Sequence, residues 1–188
     1  MPDPLDFFLT RRSTPVKFMG APAPDDATLR RILTAATRVP DYGKLTPWKL
    51  CVLRGDAMAR MARLAHEIGT RQARDPDKLP KQAAGFEDAP LCVAVLSTPD
   101  ETATVPVEDQ RMSAANVCLT LVNAAQAAGF GGSWLTSWMA HDAEFLDAAF
   151  GVAAPVRVAG FVHIGTPVRP VPERVRPDLD NVVAWIDT

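Results

Sequence analysis

The segment from about Asp109 to Ala128 constrains this chain more than any other. It reads as a helix, and apolar or small side chains occupy most of its circumference, which requires burial nearly all round. The chain has 188 residues, enough for one hydrophobic core without covalent staples. Burying such a helix completely would still be easier if a second subunit covered one side.

The other elements follow from periodicity and punctuation. Leu5, Phe8 and Leu9 predict a short amphipathic helix ending near Arg11-Arg12-Ser13, and a turn segment rich in Pro and Gly runs from Pro15 to Pro24. Asp25 or Asp26 can cap a second helix with Leu29, Ile32, Leu33 and Ala36 on its stripe. It stops near Val39-Pro40, because proline pushes the preceding residue out of the helical region. An ordered loop from Asp41 to Trp48 leads into a strand, Lys49 to Leu53, and then a helix marked by Met58, Met61, Ala62, Ala65 and Ile68. The polar stretch from Thr70 to Ala89 predicts a mobile excursion or lid. Leu91 to Leu96 is a continuous apolar run, as expected of a strand buried on both faces. A short extended piece at Gly132 to Leu135 is followed by a helix from Asp142 to Phe150-Gly151, and Val156 to Ile164 is the last strand. The tail from Thr166 to Pro177 has few apolar anchors and is free to wrap another surface. No linker or repeat divides the chain. The expectation is an α+β fold, one domain over residues 1–188, with a small central sheet flanked by helices.

Charge and motif content exclude several functions. A net charge of -2 and a pI near 5.9 offer no field for nucleic acid or anionic lipid. No apolar run is long enough to span a bilayer, and the first residues carry acid where a secretory signal carries base. Cys51, Cys92 and Cys118 are odd in number and widely spaced, which favours reduced thiols and a cytoplasmic location. His66, His141 and His163 form no zinc motif, so no metal is expected. There is no Gly-x-Ser-x-Gly elbow and no Walker loop. The glycines of Gly129-Phe130-Gly131-Gly132 follow a helix instead of a strand, which fails the context of a dinucleotide loop.

Four segments remain, each with a plain alternative. Arg11-Arg12-Ser13 offers two permanent cations and a hydroxyl, suited to a phosphate or to the anionic edge of a reduced flavin, or else complements a helix dipole. Arg38-Val39-Pro40-Asp41-Tyr42 with Thr46-Pro47-Trp48 is a ring-binding wall or an ordinary packed loop. Val105-Pro106 and Gln110-Arg111-Met112-Ser113 open the central helix, by default as entry and cap. Gly129 to Thr136 allows close approach of a ligand, and a tight helix-to-strand turn explains its glycines equally well.

In this order and at these separations the four segments resemble the nitroreductase family of FMN-dependent oxidoreductases, most closely its short bacterial NAD(P)H nitroreductases. The likeness runs from Leu5 to Val158-Ala-Gly-Phe-Val-His-Ile-Gly-Thr-Pro167. It implies the nitroreductase-like fold, a homodimer with FMN at the subunit interface, and the central helix buried there. It also implies hydride transfer from NADH or NADPH through flavin N5 to a small electron-poor acceptor, a nitroaromatic or quinone. Carried over by motif, Arg11, Arg12 and Ser13 bind FMN from one subunit, and Arg38 and Tyr42 approach from the other. Trp134, Leu135 and Thr136 also contact it. Three positions depart from the family pattern: Thr46 stands for a glutamine, Tyr42 for a histidine and Leu135 for an arginine. Leu135 leaves only its backbone to bind, so Arg174 or Arg176 in the tail would have to meet the phosphate. Competing functions are a flavin-binding protein of this fold without turnover, and another branch of the superfamily that dehalogenates or fragments flavin.

Overall fold

The computed structural model describes residues 3–187. Among them, β1 (Met19–Gly20), β2 (Trp48–Arg54), β3 (Leu91–Ser97), β4 (Gly131–Leu135) and β5 (Arg157–Pro167) form one antiparallel sheet. β5 is its hub. It pairs with β3 along Arg157 to Ile164, with β4 along Phe161 to Gly165, and with β1 through Thr166 and Pro167. β2 pairs with β3 over its whole length and ends the sheet. The architecture is α+β, as expected.

Side chains alternate across this sheet and divide the core in two. Leu91, Val93 and Val95 of β3, with Val162 and Ile164 of β5, face α2 (Asp26–Ala36) and α5 (Val107–Ala127). Cys92, Ala94 and Leu96, with Phe161, face α3 (Asp56–Arg71), α4 (Leu79–Asp88) and α6 (Ala143–Phe150). All seven residues of β3 are buried, which explains its uninterrupted apolar run. The caps are local and legible. Asp25 accepts the Thr28 N–H at 2.7 Å and Asp142 that of Phe145 at 2.9 Å, while Gly151 ends α6 in the left-handed region at φ 65°. α1 (Pro4–Thr10) buries none of its residues in this chain.

Three expectations are corrected. The segment expected to be a mobile excursion holds α4, whose Leu79, Ala83 and Phe86 sit at i, i+4 and i+7 and are buried. Pro80 disguises the helix, yet it lies in the first turn, where a missing N–H costs nothing. The turn from Pro15 to Pro24 contributes β1 to the sheet. α5 is not buried nearly all round, because the sheet and α2 cover one side only. Met112 and Leu119 are 58% and 45% exposed and flank the exposed Asn116, a stripe at i, i+4 and i+7. Among the described residues no helix is long and apolar enough to cross a membrane.

Candidate flavin site

Arg11, Arg12 and Ser13 leave α1 in extended backbone and run beside the C-terminal end of α5. Thr14 then docks on β4, its N–H donating to the Gly132 carbonyl at 2.9 Å. Gln126 of α5 holds the two arginines. Its Oε1 accepts from Arg11 Nε at 3.2 Å, and its amide donates to the Arg12 carbonyl in a short bond. Arg11 also reaches the Ser13 hydroxyl at 3.4 Å.

The tail returns to the same place. Glu173 accepts from Arg12 at 2.9 Å and from Arg176 at 3.1 Å, and Arg176 also contacts the Arg11 carbonyl at 3.5 Å. Two guanidinium groups therefore meet around one carboxylate, and the Arg11 guanidinium lies near enough to feel Arg176, an excess of positive charge. Burial, and then repulsion from Arg176, lower the Arg11 pKa from its ordinary value. The Arg174 backbone N–H, with help from Arg176 and Arg12, holds the Glu173 carboxyl below its usual range. Such a cluster favours an added anion, and guanidinium forks suit phosphate oxygens.

Trp134 and Leu135 are neighbours on β4 and point to opposite faces. The Trp134 indole lies on the α5 side, packed over Gly160 and Cys118, and its Nε1 donates to the Ala159 carbonyl at 3.1 Å. Ala159 is the extra residue where the β3–β5 register shifts, and such a bulge frees backbone groups for other partners. Leu135 pairs with Phe161 and faces α4, and with Thr136 it lines a small cavity there. The segment beyond is pinned by Arg74, which bonds Asp142 at 2.9 Å and stacks 4.1 Å over the Trp138 ring.

Arg38 and Tyr42 lie elsewhere. Tyr42 is 70% exposed on a turn that Asp41 organises by accepting the Leu45 and Thr46 N–H groups at 3.2 and 2.8 Å. At Gly43, with φ 81°, a Cβ would meet Val105 at 2.8 Å, so this turn abuts the entry to α5. Gln110, 1% exposed, fixes that entry through bonds to Asp100 and to the Val105 carbonyl at 3.0 Å. The turn carrying Tyr42 and the Arg11–Ser13 strap thus occupy opposite ends of a 21-residue helix, about 30 Å apart. Within one chain the structure does not bring these two groups together.

Two residues here escaped the sequence reading, Gln126 and Glu173. Gln126 gave one signal, an amide flanked on each side by a pair of alanines.

Comparison with known proteins identifies the arrangement. The sequence model of the Nitroreductase family matches residues 9–166. Putative NAD(P)H nitroreductase YdjA of Escherichia coli K12 is 30% identical over 165 residues, 88% of each chain. A protein of Haemophilus influenzae with the same descriptive name is 35% identical over 166 residues, 87% of this chain and 88% of its own. The fold matches that of a nitroreductase-like family protein from Bacillus cereus, with a TM-score of 0.83 at 16% identity over 100% of this chain and 98% of that one. It also matches an FMN-dependent nitroreductase from Clostridium difficile, with a TM-score of 0.72 at 14% identity over 98% and 99%. The chain belongs to the nitroreductase family, a family of oxidoreductases.

Proposed function

We propose that this protein is an FMN-dependent NAD(P)H oxidoreductase that acts as a homodimer on a small electron-poor acceptor, such as a nitroaromatic or a quinone. The observation that carries this reading is the division of the candidate residues between the two ends of α5. The stripe of Met112, Asn116 and Leu119 lies between those ends and is uncovered. Packing two such stripes antiparallel about a two-fold axis places the Arg11 end of one subunit beside the Tyr42 end of the other, twice per dimer. Leu5, Phe8 and Leu9 of α1 and Val182, Val183, Trp185 and Ile186 of the tail are also exposed, more apolar surface than an isolated chain carries without a partner.

The residues fit a flavin mononucleotide. Arg11, Arg12 and Arg176 offer guanidinium groups to a phosphate or to an anionic ring edge, Ser13 offers a hydroxyl, and the backbone at Leu135 and Thr136 lies on an open strand end. Arg38 and Tyr42 would come from the partner. When bound, the flavin supplies the hydride chemistry, and the protein supplies binding, orientation and electrostatics. A permanent guanidinium charge in a site closed by the second subunit favours negative charge developing there. The names of the two curated relatives support NADH or NADPH as reductant.

An absorbance spectrum of the purified protein tests this reading, taken before and after anaerobic addition of NADH or NADPH. Flavin bands that bleach are the expected result. A protein that stays colourless after soaking in FMN would overturn it, and bands that persist with both nicotinamides would reduce it to flavin binding alone.

A further inference from the structure

Between α4 and the α4 side of the sheet lies a cavity of about 160 Å³. Phe86, Phe161, Leu135 and Met139 form its walls, with the Phe86 and Phe161 rings edge to face at 5.2 Å. An apolar cavity of comparable size holds a benzene ring. Its polar groups include no carboxylate. Lys81, Gln82, Ser137 and His163 can all donate hydrogen bonds, and no lining residue is acidic.

Two of these groups lack partners. Among the described residues, neither Ser137 Oγ nor His163 Nδ1 has a hydrogen-bond partner, and both atoms are buried. His163 is 2% exposed, and its ring packs so closely under Gly85 that a Cβ there would approach Nε2 to 2.7 Å. Burial holds the imidazole neutral, with a pKa near 4. Leaving a buried polar atom unpaired costs on the order of 1–3 kcal/mol, and a native structure that keeps two beside one cavity calls for an explanation. Packing does not supply it, since phenylalanine and alanine would fill the same places without orphaned atoms. A few convergent donors in an otherwise apolar pocket are the hallmark of a small-molecule site.

We propose that this cavity binds a monocyclic aromatic carboxylate, with the ring between Phe86, Phe161 and Leu135 and the carboxylate on Ser137 and His163, under the Lys81 ammonium. The site borders the stretch offered to the flavin and shares Leu135 and Thr136 with it, whose backbone alone is assigned to the flavin. The inference does not depend on turnover.

The test is calorimetric titration of the flavin-loaded protein with benzoate at pH 7.5, with benzyl alcohol as the neutral comparison. Flavin content is measured on every sample. Benzoate should bind at least tenfold more tightly than benzyl alcohol. Ser137→Ala and His163→Phe should each weaken benzoate about tenfold with flavin content unchanged. Ser137→Ala removes one oxygen and keeps the experiment decisive if His163→Phe fails to fold. Absence of benzoate binding, or binding that ignores both substitutions, would overturn the proposal while leaving the flavin reading intact. Loss of flavin in both variants would also overturn it, because the cavity would then belong to the cofactor.

Discussion

Gln126 holds Arg11 at 3.2 Å with its side-chain oxygen and binds the Arg12 carbonyl with its amide. The amide thereby fixes both the direction of one guanidinium and the path of the strap that carries it. A hydrogen bond to a charged group is worth roughly 1.5–3 kcal/mol, of which water restores a part when the partner is removed. Gln126→Ala is therefore expected to weaken FMN about tenfold, and Arg11→Ala by more, with little change in melting temperature. Fluorescence titration of the apoprotein with FMN measures this. Unchanged affinity in both variants would remove the strap from the flavin site.

The two tail arginines are distinguished by position. Arg176 reaches Glu173 and the Arg11 carbonyl, and it affects the Arg11 pKa. Arg174 engages Glu173 through its backbone. Arg176→Ala should weaken FMN by about tenfold, the value of a charge-assisted contact, and Arg174→Ala by less than about twofold. Surface ion pairs contribute about 0–1 kcal/mol, so neither substitution should move stability measurably. The reverse order of affinities would place the phosphate on Arg174.

Gly160 has no space for a side chain, because a Cβ would strike the Trp134 indole on one side and Cys118 Sγ at 2.9 Å on the other. Overpacking of this kind costs about 1–3 kcal/mol. Gly160→Ala should lose that much in urea unfolding, and it should displace the indole from the Ala159 carbonyl, visible as a shift in tryptophan emission. A variant with native stability and emission would show that Trp134 is free to move.

These features differ in how far the sequence revealed them. β3 was legible because burial on both faces leaves an unbroken apolar run, and α6 because Asp142 and Gly151 mark its ends by local backbone chemistry. α4 was not, since Pro80 and a polar outer face mask four buried positions. The grip of Gln126 on Arg11 spans 115 residues and the Arg12–Glu173 pair spans 161, so no local pattern encodes either. The composition of α5 predicts burial nearly all round, and a single chain leaves the Met112–Leu119 stripe open. Which side would stay open depended on where α2 and the sheet pack, and that is settled only in three dimensions. The resemblance placed Trp134 and Leu135 together, and strand alternation separates them.

Burial lowers the His163 pKa from 6.5 to about 4. Below pH 6.5 the unfolded chain takes up a proton that the folded chain refuses, so stability is full above that pH and falls as pH drops toward 4. The loss through this window is up to about 3 kcal/mol from this one group. His163→Phe should flatten the acid limb of stability between pH 6.5 and 4. Urea unfolding of both proteins at pH 7 and pH 4.5 gives the comparison, and parallel losses would mean that His163 titrates normally.

Leu119 offers the sharpest test of a site built from two subunits. It is 45% exposed in the chain, so Leu119→Asp should fold, as circular dichroism can verify. In a dimer packed through α5 the same carboxylate would be buried without a partner, at a cost of several kcal/mol on each side of the two-fold axis. The variant should be monomeric by light scattering. It should also lose FMN although every residue of both proposed half-sites is intact, because the Arg11 end and the Tyr42 end would meet only across such an interface. Aspartate at Ala59, exposed on α3, should alter neither property. A monomer that keeps its flavin would show that one chain suffices to hold it. A dimer that survives the substitution would move the interface away from α5, and with it the geometric reason for assigning Arg38 and Tyr42 to the partner.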